Sequence, residues 1–325
     1  MNTPPPPAAV IVGTRASPLA RAQTSCVVDL LVSAHSGLTC DVVAIVTEGD
    51  RTQAKGVPLP AIGGKGLFTL ELERALRESE IDAAVHSLKD LPTEPAADLC
   101  VGAICRREDA RDCLVSHAGL TLKALPDGAV VGTSSLRREA QLRVLRPDLE
   151  IRSIRGNVDT RVRSVRAGVY DAAVLAAAGI RRLGLESEVA EWLSSEVILP
   201  APGQGALAVQ CRAGDERMVE LLAAIEDPVS RATTSAERAF LRALGGGCAA
   251  PVAAHARVVE TNADDVRDRP LQDSIEVRME ALVAAVDGSD VVRVTGVGEP
   301  DELGERLAGE AIAAGADRLV AGARV

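Results

Sequence analysis

Four side chains that could bind or react with a ligand follow one short apolar run. Residues 83–85, Ala-Ala-Val, read as the end of a buried strand, and Pro92 forbids further pairing. Between them lie His86, Ser87, Lys89 and Asp90. Ligands of open α/β sheets bind beyond the carboxyl ends of the strands, so chemistry is expected at this position. The alternative is an ordinary strand exit that carries a Lys–Asp surface pair.

The same pattern of polar side chains directly after a strand recurs along the chain. The recurring groups are Thr14, Arg15 and Ser17, then Thr133, Ser134 and Ser135, and finally Arg155. If the strands are parallel, these groups gather with residues 86–90 along one crevice. Hydroxyls and free amides at a helix start favour a bound anion, and Arg137 and Arg138 add positive charge there. Taken singly, each arginine could equally be solvated surface.

Strand and helix patterns alternate around these groups. Predicted strands cover 8–13, 41–46, 83–85, 129–132, 150–154 and 171–175. Predicted helices cover 18–33, which opens with Ser17-Pro18, then 67–77, 136–145, a helix carrying Arg161, and an alanine-rich helix carrying Arg181 and Arg182. Short connections between strands and helices predict parallel sheets.

The chain is long enough for more than one core. The charged stretch 106–112 is a predicted hinge into a second unit, and the Pro/Gly segment 199–210 leads to a strand that returns to the first. A helix near 227–244, alternating segments and a final helix near 299–314 predict a small α+β domain. The predicted domains are 8–105 with 206–223, then 106–200, and 226–325.

Composition limits the classes of partner. The net charge is −10, and the only aromatic residues are Phe68, Tyr170, Trp192 and Phe240, which argues against nucleic-acid binding. Of 36 basic residues only four are lysines, so 32 are arginines, which pair with carboxylates or phosphates in a bidentate fork. Coding bias accounts for most of that excess, but two lysines, Lys65 and Lys89, lie in the motifs discussed here.

The seven cysteines are scattered and odd in number, and they lack C-x-x-C spacing. This favours reduced thiols in a cytoplasmic protein over a disulfide framework or a metal site. There is no basic, apolar leader at the start and no run of membrane-spanning length, so we expect a soluble protein with no membrane partner.

Two segments rich in glycine carry residues of interest. Cys248 follows three glycines, which leave its approach open, although a small buried cysteine and a glycine helix cap explain part of the pattern. Lys65 lies in Gly63–Gly66 at the end of a long Gly/Pro loop. Its spacing is wrong for a nucleotide P-loop, but a lysine near a helix start suits an anion contact.

Taken together, these motifs resemble the porphobilinogen deaminase (hydroxymethylbilane synthase) family. Seven segments match in the family's order and extend over nearly the whole chain: G-T-R-A-S-P-L-A (13–20), G-G-K-G-L-F-T-L-E-L-E (63–73), D-A-A-V-H-S-L-K-D-L-P (82–92), G-T-S-S-L-R-R (132–138), I-R-G-N-V-D-T-R (154–161), L-P-A-P-G-Q-G-A-L (199–207) and G-G-G-C (245–248). The order makes an accidental match implausible.

The resemblance implies a transferase that joins four porphobilinogen molecules head to tail with release of ammonia, giving hydroxymethylbilane for tetrapyrrole synthesis. It implies a covalent dipyrromethane cofactor on Cys248 and a catalytic carboxylate at Asp90. The implied fold is α/β, with two domains like those of periplasmic binding proteins, an active-site crevice between them and a small α+β C-terminal domain. We expect a cytoplasmic monomer that binds neither nucleic acid nor metal.

Individual roles follow from the family's motifs. The resemblance assigns the carboxylates of the cofactor to Lys89, Thr133, Ser134, Ser135, Arg137 and Arg138, and it places Asp90 against the cofactor at a pyrrole nitrogen. It assigns the substrate to Arg15, Ser17, Lys65, Phe68, Ser87, Arg155, Arg161, Arg182 and Gln204. Some members have a lysine where this chain has Ala61, so the contribution of that loop is open.

A different class remains open beside this one. A non-catalytic anion-binding protein of the same two-lobed architecture would also use a crevice of arginines and hydroxyls. Such a protein has no need of Asp90 beside Lys89 or of a glycine-flanked Cys248. The two classes therefore differ in whether the chain turns over substrate.

Overall fold

The structure of the chain, a computed structural model, describes residues 9–49, 69–94, 96–245, 250–259 and 275–322. These residues form two compact units. The first unit runs up to Arg107 and includes Ala206–Asp227, whereas the second unit contains Glu108–Gly205 and the residues from Pro228 onward.

The strands are, in chain order, β1 Ala9–Arg15, β2 Thr39–Ile45, β3 Ala83–Ser87, β4 Leu99–Ile104, β5 Asp112–Ser116, β6 Val130–Gly132, β7 Glu150–Arg152, β8 Ala172–Ala176, β9 Val189–Leu193, β10 Leu207–Arg212, β11 Val252–Val258, β12 Val277–Ala284 and β13 Val291–Gly298. The α-helices are α1 Pro18–Ala34, α2 Leu70–Arg77, α3 Leu136–Leu145, α4 Val158–Arg166, α5 Ala177–Arg182, α6 Glu216–Ala223, α7 Pro228–Ala243, α8 Pro300–Ala313 and α9 Ala316–Gly322. Within the described residues the predicted strands and helices are confirmed, with ends that differ by a few residues.

A five-stranded sheet in the order β2-β1-β3-β10-β4 forms the centre of the first unit. The predicted start of α1 is confirmed, because the Ser17 hydroxyl accepts a hydrogen bond from the Ala20 amide at 3.3 Å and Pro18 opens the helix. The buried face of α1 places Val27 and Leu31 in one core cluster with strand residues such as Val12. This packing fixes the loop between β1 and α1.

The prediction of parallel sheets is wrong for one strand in each five-stranded sheet, β10 in the first unit and β5 in the second. β1 and β3 are parallel, but β10 is antiparallel to both β3 and β4. The chain leaves this sheet at the carboxyl end of β4 and comes back at the same edge, where the Cys105 amide bonds the Leu207 carbonyl. A strand that begins at that edge must run in the opposite direction.

The second unit contains a five-stranded sheet in the order β7-β6-β8-β5-β9. β6 is parallel to β7 and β8, whereas β5 is antiparallel to β8 and β9. The pairing aligns Asp112, the first residue of β5, with Ala176, the last residue of β8. Asp112 therefore lies at the edge where the parallel strands end.

The remaining part of the second unit is an antiparallel sheet, β11-β12-β13, packed on α7 and α8. Its core is aliphatic apart from the fully buried Phe240. The α/β class with two sheet-containing parts and a small α+β C-terminal part is therefore confirmed. In the described part of the chain, none of the helices combines the length and apolar character needed to cross a bilayer.

Strand ends differ from the prediction at two important places. β1 continues through Thr14 and Arg15, and β3 continues through His86 and Ser87, so these residues lie on strands and not on the loops after them. A single 3₁₀ turn, Leu88–Asp90, then follows β3 directly. The buried Leu88 side chain anchors this turn, and Lys89 and Asp90 are left half-exposed on it.

Candidate active site

The first unit brings five of the predicted site residues to one edge of its sheet. Arg15 ends β1 and Ser17 caps α1, while Ser87 ends the neighbouring strand β3. The 3₁₀ turn adds Lys89 and Asp90 at the same edge. The predicted grouping at strand ends is therefore present in this unit.

Asp90 is the carboxylate at this edge that is not committed to the fold. It is half-buried at the end of the 3₁₀ turn, and it makes no hydrogen bond or ion pair with the described part of the chain. The surface pair with Lys89 that sequence analysis left open is accordingly not formed. A carboxylate in this state is available to a ligand.

Two glutamines hold the polar residues of β3, and sequence analysis missed both. The Gln23 side-chain amide, buried on α1, donates to the Ser87 hydroxyl at 2.8 Å. The Gln210 side-chain oxygen lies 3.1 Å from His86 Nε2. Burial lowers the pKa of His86 to about 4; the Gln210 hydrogen bond opposes this shift and the charge of Arg15 adds to it. His86 is therefore a neutral group of the scaffold at physiological pH.

In the second unit, the hydroxyl run 133–135 lies between the end of β6 and the start of α3. The Thr133 hydroxyl accepts from the Ser135 amide at 3.2 Å, and the Ser134 hydroxyl donates to the Ile154 carbonyl at 2.6 Å. Ser135 is the N-cap of α3, but its side chain makes no capping hydrogen bond. The first amides of α3 and the Ser135 hydroxyl are thus left for another acceptor or donor.

Arg137 and Arg138 lie in the first turn of α3 and are buried against Asp112. Arg137 Nη1 donates to one carboxylate oxygen of Asp112 at 2.8 Å, and Arg138 Nη2 donates to the other at 2.7 Å. From the sequence, either solvent or a bound anion could balance two cations at a helix N-terminus, but both arginines are buried. Asp112, which sequence analysis passed over as part of a charged hinge, supplies one of the balancing charges.

The charge state of this cluster is set by its own members. Burial by itself would raise the pKa of Asp112, but Arg137 and Arg138 outweigh it and hold the pKa well below its ordinary range. Burial likewise lowers the pKa of Arg137, and Asp112 opposes that shift. With two cations and one anion, the cluster keeps a net positive charge.

Two further arginines follow β7. Arg155 is half-buried, and its guanidinium makes no hydrogen bond or ion pair with the described residues. Arg161, in α4, donates from Nε to the Gly156 carbonyl at 2.9 Å. Gly156 has a φ of +100°, which lets the chain turn so that this carbonyl meets the arginine.

Arg182 and Gln204 contact backbone in the second unit. Arg182 Nη2 donates to the Gly205 carbonyl at 2.7 Å. Gln204 is fully buried, and its amide nitrogen donates to the Ala110 carbonyl at 2.7 Å and to Asp112 at 2.9 Å. These contacts give Gln204 a scaffold role that sequence analysis did not anticipate, and its contact with substrate stays a prediction.

Three predicted site residues, Lys65, Phe68 and Cys248, lie outside the described residues, as does Ala61. The described ranges contain no group of three or more His, Cys, Asp or Glu side chains that could hold a metal ion. The pattern of the described groups is one of anion recognition, because arginines, hydroxyls and helix-start amides all bind anions.

Comparison with known proteins decides the family. The model described as "Porphobilinogen deaminase, dipyromethane cofactor binding domain" matches residues 10–220, and the one described as "Porphobilinogen deaminase, C-terminal domain" matches residues 232–313. The chain belongs to the porphobilinogen deaminase family. The resemblance carried by its seven motifs is therefore confirmed.

Curated porphobilinogen deaminases match along almost their whole length. The protein from Roseiflexus castenholzii is 48% identical over 313 residues, which is 96% of this chain and 98% of that one. The protein from Mycobacterium bovis is 48% identical over 316 residues, covering 96% and 99%. That from Brevibacillus brevis is 45% identical over 311 residues, covering 95% and 96%. The chain therefore matches these transferases over almost all of its own residues and almost all of theirs.

The residues of the second unit fit the family's dipyrromethane cofactor. Nε of Arg137 and Nε of Arg138 are buried and have no hydrogen-bond partner among the described residues. A buried donor without a partner is costly, so these two atoms suit a ligand that accepts hydrogen bonds. The acidic side groups of a dipyrromethane supply carboxylate oxygens of this kind.

Proposed function

We propose that this porphobilinogen deaminase family member has the activity of hydroxymethylbilane synthase. It would condense four porphobilinogen molecules head to tail onto a covalent dipyrromethane primer. Each addition breaks the C–N bond of one aminomethyl group, releases ammonia and forms one C–C bond between pyrroles. Release of the product, hydroxymethylbilane, would consume one water molecule, whose oxygen becomes the hydroxyl group of this linear precursor for tetrapyrrole synthesis.

The observation that carries the proposal is the half-buried carboxylate of Asp90, which has no partner among the described residues. As ammonia leaves, positive charge develops on the pyrrole nitrogen of the substrate, and a nearby carboxylate stabilises that charge and exchanges the proton. Asp112 cannot take this part, because both of its oxygens are committed to arginines. Asp90 is thus the carboxylate assigned to catalysis.

The cofactor would be attached to the sulfur of Cys248 and would supply the free pyrrole end to which substrate units are added. Its carboxylates would be held by Lys89, Thr133, Ser134, Ser135, Arg137 and Arg138. The orphaned Nε atoms of the two arginines and the uncapped start of α3 support this assignment. Because the Ser134 hydroxyl already donates to the Ile154 carbonyl, Ser134 would bind the cofactor through its backbone amide.

The substrate also carries an acetate and a propionate group, which need cations and hydroxyls. We assign the substrate to Arg15, Ser17, Lys65, Phe68, Ser87, Arg155, Arg161, Arg182 and Gln204, of which the arginines, Lys65 and the two serines would bind its carboxylates. The guanidinium of Arg155 supports its place in this set most directly, since it has no described protein partner. We further propose that the protein is a cytoplasmic monomer with the three domains predicted above. Light scattering tests the monomer, and limited proteolysis tests the domain boundaries.

The test is turnover of porphobilinogen by Asp90→Asn. Ammonia release and the porphyrin absorbance that follows oxidation of the product are measured for the wild type, the variant and Asp98→Asn. Asp98 serves as control because it pairs with Arg77 on the surface of the same unit. We expect wild-type turnover in the control and a loss of about 100-fold in Asp90→Asn, with folding retained.

Two results would contradict the proposal in different ways. Wild-type protein that binds porphobilinogen and releases no ammonia would favour the anion-binding alternative. Near-normal turnover by Asp90→Asn would leave the activity in place and remove Asp90 from the mechanism.

A further inference from the structure

Asp112 accepts three side-chain hydrogen bonds at the strand-end edge of the five-stranded sheet in the second unit. It is fully buried, and three side-chain nitrogens point at its two oxygens. One oxygen accepts from Arg138 Nη2 at 2.7 Å and from Gln204 Nε2 at 2.9 Å, and the other accepts from Arg137 Nη1 at 2.8 Å. The carboxylate is held in place from both sides, so its own orientation is fixed.

Each guanidinium donates one hydrogen bond to Asp112 and another to a backbone carbonyl, and these two bonds together fix its position. Arg138 bonds Asp112 through Nη2 and the Val174 carbonyl through Nη1 at 3.0 Å, so its plane is defined by two nitrogens. Arg137 Nη1 is shared between Asp112 and the Leu199 carbonyl at 2.7 Å. In both arginines Nε is the buried nitrogen left without a partner.

Further hydrogen bonds fix the backbone of Leu199, whose carbonyl accepts from Arg137. The Gln141 side chain, on α3, donates to the Leu199 carbonyl at 3.0 Å and accepts from the Leu199 amide at 2.8 Å. Gln204 ties the same segment to Asp112 itself. The arginines therefore lie in a closed network of buried hydrogen bonds, in which each member limits the movement of the next.

We propose that Asp112 is a positioning residue that holds Arg137 and Arg138, the two arginines assigned above to the cofactor, in the orientation that binds its carboxylates. This inference rests on the proposed function, because it takes the cofactor to be the ligand of these arginines. Asp112 touches no reacting atom. Its effect on the reaction passes through the two guanidinium groups.

A role in charge balance and a role in orientation predict opposite effects of Asp112→Asn on binding of the cofactor. If Asp112 only balances charge, its removal leaves the cluster more positive and anions bind it at least as well as before. If Asp112 positions the arginines, its removal lets two like charges move apart, and the cofactor is acquired more slowly. Asp112→Glu keeps the charge and displaces the carboxylate by one methylene, so it separates the two effects.

The experiment measures how fast cofactor-free protein acquires the dipyrromethane when incubated with porphobilinogen, read as intact mass over time. Wild type, Asp112→Asn, Asp112→Glu and Asp109→Asn are compared after circular dichroism and melting curves have confirmed folding. Asp109 is the matched control, an aspartate in the same segment that also pairs with two arginines, Arg111 and Arg181. Steady-state kinetics of the loaded fraction give KM and kcat separately.

We expect loading to slow at least tenfold in Asp112→Asn and at least threefold in Asp112→Glu. Asp109→Asn should load like wild type, and the KM of loaded Asp112 variants should change less than twofold. Folded Asp112→Asn that loads as fast as wild type, or Asp112→Glu with unchanged loading, would overturn the inference. If Asp112→Asn does not fold, Asp112→Glu decides by itself. Wild type that gains no mass would instead overturn the proposed function.

Discussion

Replacing His86 with glutamine should flatten the acid sensitivity of the first unit. The histidine is buried at the end of β3, bonded to Gln210 and close to Arg15. Its pKa is lowered from 6.5 to about 4 in the folded chain. The folded state therefore resists protonation at pH values where the unfolded chain accepts a proton.

The sign of the effect follows from that difference. Because the folded pKa of a base is lowered, stability is fully present above about pH 6.5 and is lost as the pH falls toward about 4. Lowering the pKa from 6.5 to about 4 corresponds to about 3 kcal/mol of folding free energy in total, of which roughly 2.5 kcal/mol is lost between pH 7.5 and pH 4.5. Glutamine keeps a hydrogen bond to Gln210 within reach and does not titrate.

The assay is urea unfolding followed by circular dichroism at pH 7.5, 6.5, 5.5 and 4.5. The free energy of unfolding of the wild type should fall by about 2.5 kcal/mol more than that of His86→Gln across this range. His117→Gln, which removes an exposed histidine, is the comparison for losing an imidazole elsewhere. Equal losses for wild type and His86→Gln would refute the reasoning, as would an NMR titration in which the His86 ring protonates near pH 6.5.

Substitutions at three positions test how the scaffold holds the site. Glu237→Ala strips the acceptor from the buried amides of Gly203 and Ala256, and it should lower the free energy of unfolding by about 2–6 kcal/mol in chemical denaturation, with a smaller loss in Glu237→Gln. Gly205→Ala places a Cβ on a backbone with φ +92°, at 2.4 Å from a neighbouring carbonyl oxygen. The melting temperature should therefore fall by several degrees, and an unchanged melting temperature would contradict this. Ser17→Ala removes the cap of α1 and should cost about 1 kcal/mol, whereas no change in denaturation midpoint would show that water replaces the cap.

Local patterns predicted the elements and the start of α1 well. Ser17-Pro18 carries its whole signal in two adjacent residues, because an N-cap and a first-turn proline act within one turn of the helix. The run of hydroxyls at 133–135 and the arginines after it likewise needed only the strand–helix pattern around them. Such features depend on neighbours in sequence.

Long-range pairing explains what was missed. The direction of β10 is decided by where the chain re-enters the sheet, some hundred residues after it leaves, and no local pattern encodes that edge. In the sequence, Asp112 is one charged residue among many in a predicted hinge. Its position at the start of a buried strand could still have indicated a buried partner. Its partners Arg137, Arg138 and Gln204 are distant in sequence, so only the fold reveals the network.

The polar residues between 86 and 90, at the end of β3 and on the turn after it, show how structure refines a motif. His86, Ser87, Lys89 and Asp90 look alike in the sequence, as four polar groups after an apolar run. In the fold, His86 is a buried neutral group, Ser87 is held by Gln23, and Asp90 is the carboxylate without a described partner. Burial and partners, which the sequence does not display, separate these roles.

The central claim is that this chain carries a primer made from its own substrate, and the intact mass of the purified protein tests it most directly. We predict an excess equal to two linked pyrrole units, which peptide mapping places on Cys248, together with further discrete increments on brief exposure to porphobilinogen. Correctly folded protein that has the mass of the bare chain and keeps it after incubation with porphobilinogen would contradict the account.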